Sequence, residues 1–451
     1  MCIRDSLTSI GNTVYFSGTA SGAYGDELWK SDGTASGTVM VKDINNGSGS
    51  GSPSKLTAIG NTLYFKANDG INGNELWKSD GTANGTVMVK DINNGNSNPA
   101  DLTAVGNTLY FSAYDPTNGS SLWKTDGTAS GTVLVKANLW PSLFTVVNNE
   151  IFFRAANGSN SYDLWKSDGT TSGTVKVAID IGDFRFPTVV NNTLFFGDYN
   201  ELWKSDGTTS GTVMVKDIDP SSSSGTLRWL TAAGNTLYFA GNDGTWVYGS
   251  GYGQGLWKSD GTSSGTVMVK AFGIGPYNVN EMAAIGNTVY FNAADGTNGS
   301  ELWKSDGTVS GTVMVQDIRS GSDGSGPSWL YLHNNTLFFQ ANDGTHGSEL
   351  WALDPANITG LSGGSGSGSG LTNVTGATCT VSPALPTGLS IDSSTCTISG
   401  TPSVATSNTT YTVTANISGT TYQGTVWLAT CLLYTSPSPR DATLSRMPSS
   451  A

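Results

Sequence analysis

Glu75-Leu-Trp-Lys-Ser-Asp-Gly-Thr82 decides the fold, because this chain of 451 residues writes the phrase repeatedly. The same eight residues stand at Glu27–Thr34, Glu201–Thr208 and Glu301–Thr308. Variants occupy Ser121–Thr128, Asp163–Thr170 and Gly255–Thr262, and an eroded copy is Glu349–Asp354. The tryptophans of the motif are Trp29, Trp77, Trp123, Trp165, Trp203, Trp257, Trp303 and Trp351, spaced 48, 46, 42, 38, 54, 46 and 48 residues apart. A period in the forties marks one supersecondary unit copied and stacked.

The copy around Trp77 shows what the unit is. Leu56–Ile59 is a short apolar stretch, and Gly60-Asn61 accepts the positive φ of a two-residue hairpin turn. Thr62–Ala67 has the aromatic and aliphatic composition of a strand. Asn68–Gly73 is a turn cluster, Glu75–Ser79 a third strand, Asp80–Gly85 a second turn cluster and Thr86–Ile92 a fourth strand. No segment carries a helical apolar period. Four antiparallel strands in one such period match a β-propeller blade. In the last strand Val87 and Val89 are expected on one face, Met88 and Ile92 on the other. Both faces are then apolar, as a sheet packed between two neighbours requires. The repeated Trp offers a large area to bury against the next unit. A linear β-solenoid of the same hairpins is the competing architecture, but closure removes the strand edges it would expose.

On these residues the segment from Leu7 to about Asp354 resembles the ELWxxDGT repeat proteins, secreted or surface proteins of bacteria and marine archaea. The resemblance implies a secreted or cell-surface location and carries no established activity onto any residue. Beyond it, Gly363–Gly370 is a flexible Gly/Ser linker with a reach of roughly 15 Å. Thr378–Ile391, Cys396–Pro402 and Thr410–Asn416 then resemble the immunoglobulin-like domain of microbial surface proteins, a compact β-sandwich used as a spacer. Alternating Thr/Tyr/Val strands and Pro/Gly turns fit that fold on their own terms. The family often has apolar or small residues where this chain has Cys379 and Cys396. The matched pair suggests a disulfide, favoured by oxidising surroundings over two buried thiols.

The expected fold is therefore all-β. A β-propeller of about eight four-stranded repeats spans 7–358, a linker 359–370 and a small immunoglobulin-like sandwich 371–430. Residues 1–6 and 431–451 resemble neither family. Met1–Ser6 can be encoded by a DNA stretch whose reverse complement encodes Cys431–Ser436. Both ends resemble a translated sequencing adaptor and are set aside as foreign. A leader or anchor missing from this sequence therefore says nothing about the intact protein. The eighth unit, Leu330–Asp354, runs into Pro355 with no Val-Met-Val strand after it. An eighth blade short of one strand is expected, with that strand lying upstream of Leu7 in the intact protein.

Charged residues make up only 13% of the chain and the net charge is −13, with no Lys/Arg cluster. Phosphate binding needs clustered positive charge, so nucleic acid is excluded as a partner. No apolar run approaches the roughly 18 residues of a membrane span. His333 and His346 are the only histidines, and no nucleophile–base order, metal-spaced set or phosphate loop stands out. The carboxylates recur at repeated sites, Glu27, Glu75, Glu201, Glu301 and Glu349 at one and Asp32, Asp80, Asp126, Asp168, Asp206, Asp260 and Asp306 at another. They read as structural, so the chain is expected to be no enzyme and to hold no cofactor. Asp-Gly-Thr suits a turn in which Asp bonds the backbone two residues on. Calcium is the alternative at Asn68-Asp69-Gly70 with Asn72, Asp295-Gly296 with Asn298, and Asn342-Asp343-Gly344. It wants about six to eight oxygens, and no loop shows the full set.

Departures from the repeat point to binding. The residue placed just before each first strand is Lys55, Asp101, Ser142, Phe186, Trp229, Glu281 or Trp329. Phe186, Trp229 and Trp329 are expected at the mouth of a central channel, as a platform for sugars. Packing against the adjacent connection is the plainer alternative. The sixth unit carries an insert, Thr245–Gln254, with Trp246, Tyr248 and Tyr252. Long loops on one face of a repeat often bind, and an unstructured insertion is the competing reading. The function expected is a non-catalytic scaffold or adhesin for a polysaccharide or surface protein. A carbohydrate-recognition module of a larger secreted enzyme and a calcium-stabilised structural propeller are the alternatives.

Overall fold

In the second repeat Ser54–Ile59, Thr62–Asn68, Asn74–Ser79 and Val87–Lys90 are four successive antiparallel strands. The first turn is built on Gly60 at φ +55°, as its sequence predicts. The same meander recurs over 8–42, 100–136, 141–178, 185–217, 228–274 and 279–316. The last repeat has three strands among the described residues, Ser328–His333, Thr336–Asn342 and Ser348–Leu353. The computed structural model describes residues 7–19, 24–156, 161–220, 227–247, 251–274, 279–333, 335–345, 347–353, 377–385, 389–391, 398–400, 406–417 and 420–430. None of them is helical, so no described helix is long and apolar enough to cross a membrane.

The chain divides into two compact units, Met1–Ala352 and Leu353–Ala451. The first is an eight-bladed β-propeller. The first strands pack against one another in chain order from blade 1 to blade 8, which makes them the inner strands. Threonine hydroxyls tie them together: Thr8 Oγ1 donates to Leu56 O at 3.1 Å and Thr188 Oγ1 to Leu230 O at 3.0 Å.

Leucine and tryptophan of the motif are neighbours in sequence, so they point to opposite faces of the sheet. Leu76, Val89 and Tyr64 of blade 2 pack forward onto Leu109, Phe111, Ala113 and Trp123 of blade 3. Leu28, Val41 and Tyr15 of blade 1 pack in the same way onto Leu63, Phe65, Ala67 and Trp77 of blade 2. Ile92 departs from expectation. It joins the forward cluster with Val89, while Met88 faces blade 1. The fourth strand ends at Lys90, so strand alternation no longer governs Ile92. Trp77, Trp123, Trp257 and Trp303 are buried, whereas Trp29, Trp165, Trp203 and Trp351 are partly buried.

Lysines reinforce several of the junctions. Lys30 Nζ donates to Gly81 O at 2.8 Å, Lys78 to Gly127 O at 2.8 Å and Lys258 to Gly307 O at 2.8 Å, each from one blade to the next. A second set rises from the fourth strand. Lys42 Nζ donates to Thr86 O at 2.7 Å and sits 5.9 Å from the Trp77 ring centroid. Lys90 does the same to Thr132 O and Trp123. A cation over an indole face is worth about 0.5–1 kcal/mol where partly solvated. Gly81 has two reasons to be glycine: its φ is +87°, and a Cβ there would lie 2.3 Å from the Tyr15 hydroxyl.

The junctions change at the last blade. Gln316 stands where Lys42 and Lys90 stand, and Ala352 where Lys30 and Lys78 stand. Leu350 is 76% exposed, while its equivalents Leu28, Leu76 and Leu302 are 0–1% exposed. Burying a leucine contributes about 1.5–3 kcal/mol, which blade 8 forgoes.

In the second unit Ala377–Ser382, Thr406–Ile417 and Thr420–Thr430 form one sheet, and Leu389–Ile391 pairs with Ile398–Gly400 in another. Cys379 stands opposite Ala415 in the ladder, and Cys396 lies outside the described residues. So do residues 1–6, 359–370 and 431–451.

Trp77→Ala empties a space between blades that no neighbouring side chain refills. The expected cost is about 3–5 kcal/mol, read as a lowered urea midpoint of the full chain. A cost under about 0.5 kcal/mol, as for a surface site, would contradict burial of this tryptophan between blades.

Candidate functional site

Strand direction gives the propeller two unlike ends. Every first strand starts, every second-to-third hairpin turns and every crossover between blades passes at one end. The Gly-Asn turns and the Asp-Gly-Thr loops lie at the other. That second end is uniform. In blade 2 Asp80 Oδ1 accepts from Thr82 N at 2.9 Å and Thr82 Oγ1 at 2.7 Å, and Thr82 Oγ1 accepts from Gly85 N at 3.0 Å. The same bonds recur at Asp32, Asp126, Asp168, Asp206, Asp260 and Asp306. These hydrogen bonds hold the exposed carboxylates below their ordinary pKa.

The first end varies, and its inner rim is strained. In blades 2 to 8 the pairing of first and second strands is interrupted by an extra residue. That residue has positive φ in every case: Lys55 59°, Asp101 52°, Leu143 56°, Phe186 52°, Trp229 57°, Glu281 48° and Trp329 58°. None is glycine. Holding an ordinary residue there costs roughly 1–2 kcal/mol, yet seven successive blades do so. A threonine two residues on supports the bulge: Thr57, Thr103, Thr188 and Thr231 Oγ1 donate to the carbonyls of Lys55, Asp101, Phe186 and Trp229. The sequence reading placed these residues just before the first strand and took Ser142 for blade 4. They lie within the strand, and Leu143 is the bulged residue of blade 4: Thr145 pairs with Phe152 as Thr57 pairs with Tyr64, so Leu143 takes the place of Lys55 and Phe144 that of Leu56.

The bulges of neighbouring blades reach one another. The Phe186 and Trp229 rings lie 6.4 Å apart and tilted by 31°. Trp229 leans on the core between blades 6 and 7, which fixes its ring. Phe186 is partly exposed and Trp329 is 76% exposed. On the opposite arc Leu143 N donates to Asp101 Oδ1 at 3.1 Å. Burial raises the Asp101 pKa, and the charges of Lys55 and Arg154 oppose that rise. The rim thus carries aromatics at blades 5, 6 and 8, interrupted by Glu281 at blade 7, and charged Lys55 and Asp101 at blades 2 and 3.

The blade 6 insert extends its strands. Thr236–Val247 and Gly251–Ser259 pair beyond the ordinary hairpin length, with Trp246 opposite Tyr252, and Val267–Ile274 lengthens to pair with them. Tyr248 lies outside the described residues. The projection rises from the same end as the bulges. Sequence reasoning missed three exposed aromatics there, Tyr114, Trp140 and Tyr199. Trp140 and Tyr199 lie in connections, and Tyr114 stands at the second-strand position that Asn68 holds in blade 2. Tyr24 is exposed at this end too.

Three glutamates of the motif act inside the crossovers, while Glu201 accepts from Trp203 Nε1 of its own strand. Glu75 accepts from Ile92 N at 3.1 Å, Ser97 N at 2.9 Å and Ser97 Oγ at 2.6 Å. Glu27 holds Ile44 N and Gly51 N, and Glu301 holds Ile318 N and Ser325 N. All three are fully buried, and burial raises their pKa despite these bonds. In the loops considered for calcium, Asp69 Oδ1 accepts from Ile71 N and Asn72 N, and Asp295 Oδ1 accepts from Thr297 N and Asn298 N. Asp343 Oδ1 accepts from Thr345 N. Their own backbones thus engage these carboxylates. Of the histidines, His333 ends the first strand of blade 8 and His346 lies outside the described residues.

A family described as Putative Ig domain matches residues 354–429. No curated protein matches the chain. Among solved structures, a prolyl endopeptidase analysed for inter-domain dynamics is 14% identical, covering 69% of this chain and 48% of its own, with a TM-score of 0.41. Puromycin hydrolase is 12% identical over 75% of this chain and 59% of its own, with a TM-score of 0.37. The β-propeller domain of the Trilobed protease from Pyrococcus furiosus, described as having an open velcro topology, is 12% identical. It covers 67% of this chain and 95% of its own at a TM-score of 0.36. The chain spans about half the length of the first two.

The two carboxylate sets give stability a peak in pH. A glutamate with raised folded pKa binds its proton more tightly when folded, so stability falls as pH rises from the unfolded value through the folded one. Glu27, Glu75 and Glu301 act in this sense. The Asp-Gly-Thr carboxylates are lowered, so their stabilisation is lost as pH falls below the ordinary aspartate range. Melting temperature is expected to be highest in mild acid and to fall on both sides. Glu75→Gln should flatten the neutral side, and a melting temperature rising steadily from pH 4 to pH 7 would contradict this.

Proposed function

We propose that this chain is a non-catalytic, secreted or cell-surface binding scaffold acting in adhesion. Its ligand face is the propeller end that carries the bulged rim, and polysaccharide is the ligand class. One observation carries the reading. Among the described residues seven aromatics are exposed, and six of them, Tyr24, Tyr114, Trp140, Phe186, Tyr199 and Trp329, lie at that end, while Tyr331 lies along the first strand of blade 8. Aromatic faces offer large rigid apolar area to the C–H faces of sugar rings. The strained bulges support the same reading, because glycine would relieve the strain but present no side chain. Loops set on a rigid scaffold are where binding concentrates. The immunoglobulin-like unit serves as a spacer.

The test is affinity electrophoresis and glycan-array binding of the full chain beside a Phe186→Ala/Trp329→Ala variant. Both side chains are exposed, so melting temperature should not change. Retention by a bound polysaccharide is expected to weaken at least about tenfold, the equivalent of about 1.4 kcal/mol. Unchanged retention would remove the rim from the ligand face, and no binding to any glycan would remove the polysaccharide reading.

A further inference from the structure

One position of the blade decides how a junction is filled near the ligand face. It is the second-strand residue paired with the motif leucine: Ser17 with Leu28, Arg154 with Leu164, Gly197 with Leu202 and Asn292 with Leu302. In blade 4 Arg154 spans the gap to the following crossover. Its Nη1 donates to Asp183 O at 2.7 Å and reaches Phe184 O at 3.5 Å, and its guanidinium carbon lies 4.0 Å from the Tyr162 ring centroid. In blade 7 Asn292 Nδ2 donates to Pro327 O at 2.8 Å, and Ser300 Oγ donates to Asn292 Oδ1. In blade 5 the crossover itself fills the space. A Cβ on Gly197 would lie 2.8 Å from Cδ2 of Leu227, which is 2% exposed.

At blade 1 the residue is Ser17, too short to span that gap. A cavity of about 410 Å³ opens between blades 1 and 2, bordered by Ser17, Asp26, Ser50, Ser52 and Pro53. Small-molecule sites commonly have roughly 300–1,000 Å³. Ser52 and Pro53 precede Ser54 as Asp183 and Phe184 precede Arg185, and Ser54 and Arg185 hold equivalent places in their ladders. Asp26 precedes Glu27 as Tyr162 precedes Asp163. The cavity thus occupies the place of the Arg154 guanidinium, with a carboxylate where blade 4 has a phenol ring. Ser17 is 4% exposed, and its hydroxyl makes no hydrogen bond among the described residues. Thr19 Oγ1 donates to Asp26 Oδ1 and holds that carboxylate in place. Lys66 also borders the cavity, but it stands between Phe65 and Ala67, which face blade 1, so its side chain turns the other way.

We propose that this cavity is a subsite for a protonated primary amine, carried by an amino-sugar residue of a cationic polysaccharide. The inference rests on the polysaccharide reading above and names the class of sugar. The ammonium group takes the place that the guanidinium takes in blade 4. It donates to the carbonyls of Ser52 and Pro53 and to Ser17 Oγ, and it pairs with the Asp26 carboxylate. The net charge of −13 draws a cationic chain toward the protein and repels an acidic one.

The probes are a labelled linear glucosamine hexamer, its fully N-acetylated counterpart and a glucose hexamer, each titrated onto the full chain in mild acid. The glucosamine hexamer is expected to bind at least about tenfold tighter than the other two. Ser17→Arg fills the cavity as Arg154 fills its own junction, and Asp26→Asn removes the charge. Each should abolish the preference, and Asp26→Asn carries the test alone if the melting temperature shows Ser17→Arg misfolded. Ala129→Arg adds one positive charge on the exposed Asp-Gly-Thr end and should keep the preference. Equal binding of the glucosamine and N-acetylated hexamers would overturn the subsite and leave the polysaccharide reading standing. So would a preference that survives Asp26→Asn, or one that Ala129→Arg reduces as much as Ser17→Arg does. Binding of no glycan at all would overturn both.

Discussion

The leucine and tryptophan of each third strand lie side by side in sequence and face opposite ways. Every blade is therefore apolar on both faces, and no blade can bury itself. Leu76 needs Phe111 and Trp123 of the following blade, and Trp77 needs Leu28 and Val41 of the preceding one. This is the stacking constraint of repeat proteins, where stability resides largely between neighbouring units. The lysines follow the same logic. They reach forward to carbonyls of the next Asp-Gly-Thr loop and fourth strand.

Stacking also separates structure from function along the axis. The Asp-Gly-Thr end is nearly invariant because each loop serves two blades: its Gly accepts a lysine and packs under the tyrosine of the blade before. The opposite end contacts nothing that must repeat. Hairpins there range from the tight Asp198–Glu201 turn to the long projection of blade 6, and the bulged residues range from Lys55 to Trp329. Variation is tolerated at that end because the inner strands and the buried glutamates hold the frame beneath it.

Much of this was legible in the sequence because its signals are local and repeated. The eight motifs, the Gly60-Asn61 turn and the Asp-Gly-Thr cluster each dictate backbone geometry over a few residues. The run from Trp351 into Pro355 carries no Val-Met-Val strand, and the last repeat has three strands among the described residues. What escaped were features set by tertiary packing. An extra bulged residue leaves no composition signal, and in blade 4 Leu143 stands at the place of Lys55 and imitates Leu56, so the sequence points to Ser142, although Thr145 aligns with Thr57 and marks the register. Ile92 turned to the other face because the strand stopped two residues before it. Trp140 and Tyr199 were overlooked because they belong to connections, which have no repeat to stand out from.

The dependence of each blade on its next neighbour is tested most directly by native-state hydrogen exchange resolved strand by strand. Protection tracks the free energy of local opening. Asn74–Ser79 and Ser300–Ser305 have a following blade and should be among the most protected segments. Ser348–Leu353 has the same Glu-Leu-Trp sequence without that cover, and its amides should exchange far faster. Equal protection of Ser348–Leu353 and Ser300–Ser305 would show that a blade does not need its forward neighbour, and would contradict the stacking constraint.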